Sequence, residues 1–263
     1  MKLIFSKIKH FFITMQDVLI TDVCYVLPHT LKWFYHRRIK RDISVIRFKN
    51  CSGKRASLYQ HGTWKFEKSA TPVIVFLHGQ YSHPLVMQHL AEIAKETQIG
   101  ATFSLYLPYD KENLDSHRSL LKQAIDHIEK TIMDEGSSLK GIILVGHSMG
   151  AIEAAYIAFV EADKRILSVI SIAGRLKVVE SNNNSYGDPL KDTLNAVYKG
   201  IHANPRLPLY QIVGRHDWNA SIEVTIIRKD RDCFHIVEDG MHFNILFHQD
   251  IYRKLPEFLR KSL

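Results

Sequence analysis

The segment Gly146-His147-Ser148-Met149-Gly150 follows the apolar run Ile142-Ile143-Leu144-Val145 and precedes an alanine-rich stretch containing Ala151, Ala154, Ala155 and Ala158. A serine flanked by glycines two residues away on either side can sit in a sharp strand-to-helix turn. A side chain at either glycine would collide with the neighbouring strand or helix. The strained turn lifts the hydroxyl into the open. The helix that follows, from about residue 149 to 162, aims its unpaired N–H groups at the same spot. The chemistry this arrangement allows is attack of Ser148 on a carbonyl carbon, with the negative charge that develops held beside it. Ser148 as a plain helix cap is the alternative, and it accounts for neither the buried strand in front nor the residues downstream.

A serine hydroxyl needs a base to take its proton, and the base needs an acceptor to orient it. Leu207-Pro208-Leu209-Tyr210-Gln211-Ile212-Val213 reads as a buried strand that ends in Gly214-Arg215-His216-Asp217, so Asp217 stands on a loop at a strand end. A second strand, residues 233–237, leads into Glu238-Asp239-Gly240-Met241-His242, which makes His242 the candidate base. Asp239, three residues ahead of that histidine, is the reserve acid. Upstream, Val73-Ile74-Val75-Phe76-Leu77 closes in His78-Gly79-Gln80. Gly79 allows backbone to approach a bound carbonyl, so the amides of Gln80 and Met149 are the expected oxyanion donors, with Tyr81 replacing Gln80 if the contact slips by one residue. His78 reads as a buried hydrogen-bonding residue behind that loop.

With the order Ser148, Asp217, His242 assembled, the chain resembles the α/β-hydrolase superfamily, nearest its lipase and esterase branches, over residues 43–263. The resemblance rests on the His78-Gly79 loop, the elbow at Ser148, the strand-end Asp217 and the late His242. It implies a mostly parallel eight-stranded sheet flanked by helices, and ester hydrolysis through an acyl-enzyme on a Ser-His-Asp triad. Thioesters and amides remain open substrates, and so does a catalytically idle scaffold on the same fold. Two positions depart from many relatives: Ala151 stands where a further glycine is common, and Leu107-Pro108-Tyr109-Asp110 replaces a glycine-rich turn.

The elements that must carry these residues follow from periodicity. Strands are expected near 73–77, 101–106, 141–145, 166–172, 207–213 and 233–237, and helices over 85–97, 117–134, 149–162 and 247–261, with antiparallel edge strands near 43–48 and 57–66. Alternation of this kind predicts a parallel sheet covered on both faces. Residues 174–204 break the rhythm between the sixth and seventh strands with Ser181-Asn182-Asn183-Asn184-Ser185-Tyr186-Gly187-Asp188-Pro189 and a short helix near 190–198. Two readings stand for this insertion: a cap or lid over the site, or a surface excursion that touches nothing.

At 263 residues and 46% hydrophobic content, one large domain with a full core is expected. No cofactor or metal is expected: the zinc and dinucleotide motifs are missing, and Ile142 and Ile143 stand where a phosphate loop after Gly141 would need lysine and a hydroxyl. The three cysteines, Cys24, Cys51 and Cys233, suit a reducing, cytoplasmic compartment.

The formal charge of +8 is concentrated at one end, where residues 1–55 hold 12 Lys/Arg against three Asp. Within the basic extension 1–42, Ile4, Ile8, Phe11, Met15 and Val18 recur at helical spacing, and Lys32, Arg37, Arg38, Lys40 and Arg41 are interleaved with Trp33, Phe34 and Tyr35. Lys9, Asp17 and Asp22 interrupt every window of the ~20 apolar residues a spanning helix needs. Residues 1–41 therefore read either as a peripheral contact with an anionic membrane or as an apolar stripe packed on the body or on a second copy. The expected partner is a small or lipid-like acyl substrate. Nothing resembling a nucleic-acid recognition module accompanies the basic cluster.

Overall fold

The computed structural model describes residues 43–49, 53, 55–62, 70–80, 82, 84–108, 114–178 and 188–263. The extension 1–42 and the polar run 181–187 lie outside the described residues.

These residues form an eight-stranded sheet in the order β1-β2-β4-β3-β5-β6-β7-β8. The strands are β1 (Ile43–Lys49), β2 (Arg55–His61), β3 (Ala70–Leu77), β4 (Ala101–Tyr106), β5 (Ser138–His147), β6 (Ile166–Ile172), β7 (Leu209–Gly214) and β8 (Phe234–Val237). β1 and β2 form the antiparallel start, and every pairing from β4 through β3, β5, β6 and β7 to β8 is parallel. The helices are α1 (Gln88–Glu96), α2 (Leu114–Asp134), α3 (Met149–Ala155, continued by a π-helical turn over Tyr156–Val160), α4 (Asp188–Ala203), α5 (Ile222–Thr225) and α6 (Gln249–Lys261).

Apolar runs, rather than strict alternation, form the central strands because both faces are covered. On β3, Val73, Val75 and Leu77 face a core built with α2, α3 and α4, while Ile74 and Phe76 face a second core built with α1 and α6. β5 divides the same way, with Ile142 and Leu144 on the first face and Ile143 and Val145 on the second.

The insertion helix is longer than its sequence suggests, and it belongs to the body. α4 buries Leu194, Val197 and Ile201, and a side chain on Gly200 would come within 2.5 Å of the Phe159 carbonyl at the end of α3. Its first turns meet the site side of the molecule, where Leu190 and Leu194 join Leu114, Met149 and Ile152 in a small apolar cluster.

Parallel strands deliver their loops to one edge of the sheet. His78, Ser148 and Asp217 follow β3, β5 and β7 there, and His242 lies five residues past the end of β8.

Candidate active site

Ser148 turns the chain from β5 into α3 at φ 53°, ψ −118°, a left-handed conformation that costs on the order of 1–3 kcal/mol for a residue with a side chain. The flanking glycines explain how this turn fits. A Cβ on Gly146 would lie 2.4 Å from the Ala151 nitrogen, and one on Gly150 would lie 2.3 Å from the Leu77 carbonyl. The Ser148 N–H donates to the Ile172 carbonyl at the end of β6 at 3.0 Å, fixing the elbow from the neighbouring strand.

Asp217 and His242 are drawn together by their own loops. A Cβ on Gly214 would lie 2.3 Å from the Gly240 carbonyl, so β7 and the histidine loop can pass at backbone contact. The His216 N–H donates to that same carbonyl at 3.0 Å. Asp217 is buried, and its Oδ1 accepts the N–H groups of Asn219 at 2.8 Å and Ala220 at 2.7 Å. His242 Nδ1 lies 3.0 Å from Asp217 Oδ2 and 3.2 Å from Oδ1, and its Nε2 lies 2.9 Å from Ser148 Oγ. A carboxylate only accepts, so Nδ1 carries the ring proton and Nε2 offers its lone pair to the serine hydroxyl. The three residues singled out in the sequence therefore form one hydrogen-bonded chain.

The His78–Gln80 loop sits against the elbow. A Cβ on Gly79 would come within 3.1 Å of both Ser148 Cβ and His147 Nδ1. His78 accepts the Leu107 N–H at Nε2 (3.1 Å), so its Nδ1–H donates to the Gly79 carbonyl at 2.7 Å and stiffens the loop. Gln80 lies inside the turn closed by Ser82 N–H to the Gly79 carbonyl at 3.2 Å, and Met149 opens α3. Tyr81, the alternative donor, lies outside the described residues. Asp239 lends its backbone carbonyl to the Asn244 amide at 3.3 Å, while Asp217 takes the contact with the His242 ring.

Three residues of the site escape a reading of the sequence. His147, fully buried, donates from Nε2 to the His242 carbonyl at 2.7 Å. Burial first, and the neighbouring His242 second, hold its pKa down to about 3, so it stays a neutral strut. Asn219 brings its side-chain amide to 3.2 Å from His242 Nε2. Trp218 is 72% exposed with its ring centroid 6.5 Å from that of His242, giving the mouth of the site an apolar rim. The only hint in the sequence is their adjacency to Ser148 and Asp217. Among the described residues, no group of three or more His, Cys, Asp or Glu side chains is arranged to hold a metal ion.

A serine on a strained elbow, hydrogen-bonded through a histidine to a strand-end aspartate at the edge of a sheet in this strand order, identifies the architecture. The chain has the α/β-hydrolase fold. Solved structures similar to it include a thermophilic esterase from the Planctomycetes species Thermogutta terrifontis, at 17% identity and TM-score 0.62, covering 84% of this chain and 91% of that one. An esterase from Pyrococcus furiosus is similar at 15% identity and TM-score 0.56, covering 86% and 95%. A bacterial membrane phospholipase A is similar at 15% identity and TM-score 0.60, covering 100% of this chain and 99% of that one. No protein-family model and no curated protein sequence matches the chain. Within the α/β-hydrolase fold, the loops after β3, β5, β7 and β8 are those that meet at Ser148.

Proposed function

We propose that the protein is a serine hydrolase of carboxylic esters. The observation that carries this is the continuous contact from Asp217 through His242 to Ser148, 3.0 Å and 2.9 Å, at the strand ends. Ser148 Oγ attacks the ester carbonyl while His242 Nε2 takes its proton. Asp217 orients the ring and stabilises the imidazolium, and the amides of Gln80 and Met149 hold the oxyanion. The tetrahedral adduct collapses, the C–O bond to the leaving group breaks, and His242 returns the proton to the departing alcohol. Water then releases the acid by the same steps. The esterase and phospholipase names of the similar structures support this reading.

An apolar acyl group is favoured by Met149, Ile152, Leu114, Leu190 and Leu194 clustered beside the nucleophile, and by the Trp218 rim. The basic extension adds a peripheral contact with anionic membrane, in keeping with the similarity to a membrane phospholipase A. Loss of binding to anionic liposomes on deleting residues 1–41 tests that part, and undiminished binding refutes it.

For the hydrolase itself, an active-site fluorophosphonate should label the wild-type protein, and Ser148→Ala should take up none. Equal labelling of both would discard Ser148. A wild-type protein that ignores the probe and turns over no p-nitrophenyl ester of any chain length would leave an idle scaffold as the better description.

A further inference from the structure

The environment of His242 Nε2 holds one donor too many. A neutral imidazole nitrogen that carries no proton has a single lone pair. Two donors face it: the Ser148 hydroxyl at 2.9 Å and the Asn219 side-chain amide at 3.2 Å. The amide must present its NH2 rather than its oxygen, because the ring proton is committed to Asp217 at Nδ1. Asn219 is also held from behind, since its backbone N–H donates to Asp217 Oδ1 at 2.8 Å. Its side chain is thus fixed to the acid loop and aimed at the atom through which the proton must pass.

We propose that Asn219 is a further catalytic residue that donates a hydrogen bond to the leaving-group oxygen, and that it thereby favours oxygen esters of ordinary alcohols over thioesters. The inference rests on the ester-hydrolase reading above. When His242 takes the Ser148 proton, Nε2 becomes a donor and can no longer accept from Asn219. The leaving-group oxygen has to approach Nε2 to receive that proton, which brings it within reach of the same amide. As the C–O bond breaks, electrons pass to that oxygen, the proton moves to it from Nε2, and Asn219 Nδ2–H stabilises the charge until the transfer is complete. The donor freed by protonation of the base is needed at the same moment by the departing atom. An alkoxide depends on this help because it is a strong base and a strong acceptor. Sulfur is a weak acceptor, and a thiolate departs more readily, so a thioester gains little from Asn219.

The test compares ethyl butyrate with S-ethyl thiobutyrate, which share an acyl group, in the wild-type protein and in Asn219→Ala and Asn219→Leu. The fraction of active protein is counted by fluorophosphonate labelling. Both substitutions should lower the oxygen-ester to thioester ratio of kcat/KM about tenfold, the size of one hydrogen bond gained in a transition state. Asn219→Leu keeps the approximate shape of the side chain, adds no charge beside His242 and loses the donor, which guards against a loop that merely loosens in the alanine variant. An unchanged ratio, with both substrates slowed equally, assigns Asn219 a structural role and overturns the proposal while the hydrolase stands. A wild-type protein that neither takes the probe nor cleaves either substrate overturns both readings together.

Discussion

Two buried carboxylates lie close to Ser148 and α3, and their surroundings could hardly differ more. Asp217 stands on a loop and receives two backbone N–H groups and the His242 ring. Glu153 stands within α3, fully buried. Its Oε2 accepts from Arg118 Nε at 3.2 Å, and among the described residues its Oε1 has no partner. Burial pushes the Glu153 pKa up to about 7, with the Arg118 charge offsetting only part of that cost. The contrast follows from backbone chemistry. A loop has free N–H groups to turn toward a side chain, whereas those inside a helix are already committed to the residue four behind. The loop therefore builds an acid that can orient the His242 imidazole. The helix builds a joint: Arg118 joins Glu153 on α3 to Thr193 on α4 (2.8 Å) and to Asp115 on its own helix (3.0 Å), and stacks 3.4 Å over the Tyr156 ring.

If that division of labour is right, Asp217→Asn should cut kcat on p-nitrophenyl butyrate by about 10⁴-fold, because the ring loses the acceptor that sets its tautomer. Glu153→Gln should change the same rate by less than about twofold. Steady-state kinetics on both variants decides the matter, and comparable losses would mean that Glu153 also serves the reaction.

The joint should show itself in stability instead. Arg118→Met removes the donor shared by Glu153 and Thr193 and leaves Glu153 to keep its proton, and losing buried hydrogen bonds of this kind costs about 1–3 kcal/mol. Urea unfolding of the wild type and variant measures this. A loss below about 1 kcal/mol would mean that α4 is held by its apolar face alone, through Leu194, Val197 and Ile201.

The same contrast explains what the sequence disclosed. Gly146 and Gly150 announce the elbow because their reason is local: each lies within a few residues of the serine it serves. Asp217 and His242 were legible as residues just past strands, since parallel strands gather such loops whatever their separation. β4 and β6 coincide with the expected 101–106 and 166–172. Contacts made by the folded approach of distant segments left no trace. His147 meets a carbonyl 95 residues away, and Arg118 meets Glu153 across 35. A basic residue and an acidic one on two helices look like solvated faces until the helices pack. The expected helix ends near Tyr198, whereas α4 runs on to Ala203 because its apolar spacing continues to Ile201. Lys199-Gly200 resembles a helix end, and only the close passage of Gly200 over Phe159 shows why a glycine belongs inside it.

The smallest effect separates the protonation of the joint from that of the active-site strut. Glu153, ordinarily near 4.5, is raised to about 7 in the folded chain. The stability from its retained proton is complete below pH 4.5 and is lost as pH rises through 7. His147, ordinarily near 6.5, is lowered to about 3. The unfolded chain gains its proton below pH 6.5 and the folded chain does not, so stability falls as pH drops from 6.5 toward 3. Between pH 4.5 and 6.5 the two slopes oppose, each about 1 kcal/mol per pH unit. Glu153→Gln removes one of them. Across that window, the variant's unfolding free energy should climb relative to wild type by about 1 kcal/mol per pH unit, measured by urea titrations at pH 4.5, 5.5 and 6.5. Parallel trends would mean that Glu153 is ionised throughout, held by Arg118 more strongly than burial opposes it, and the two carboxylates would then differ in role but not in charge.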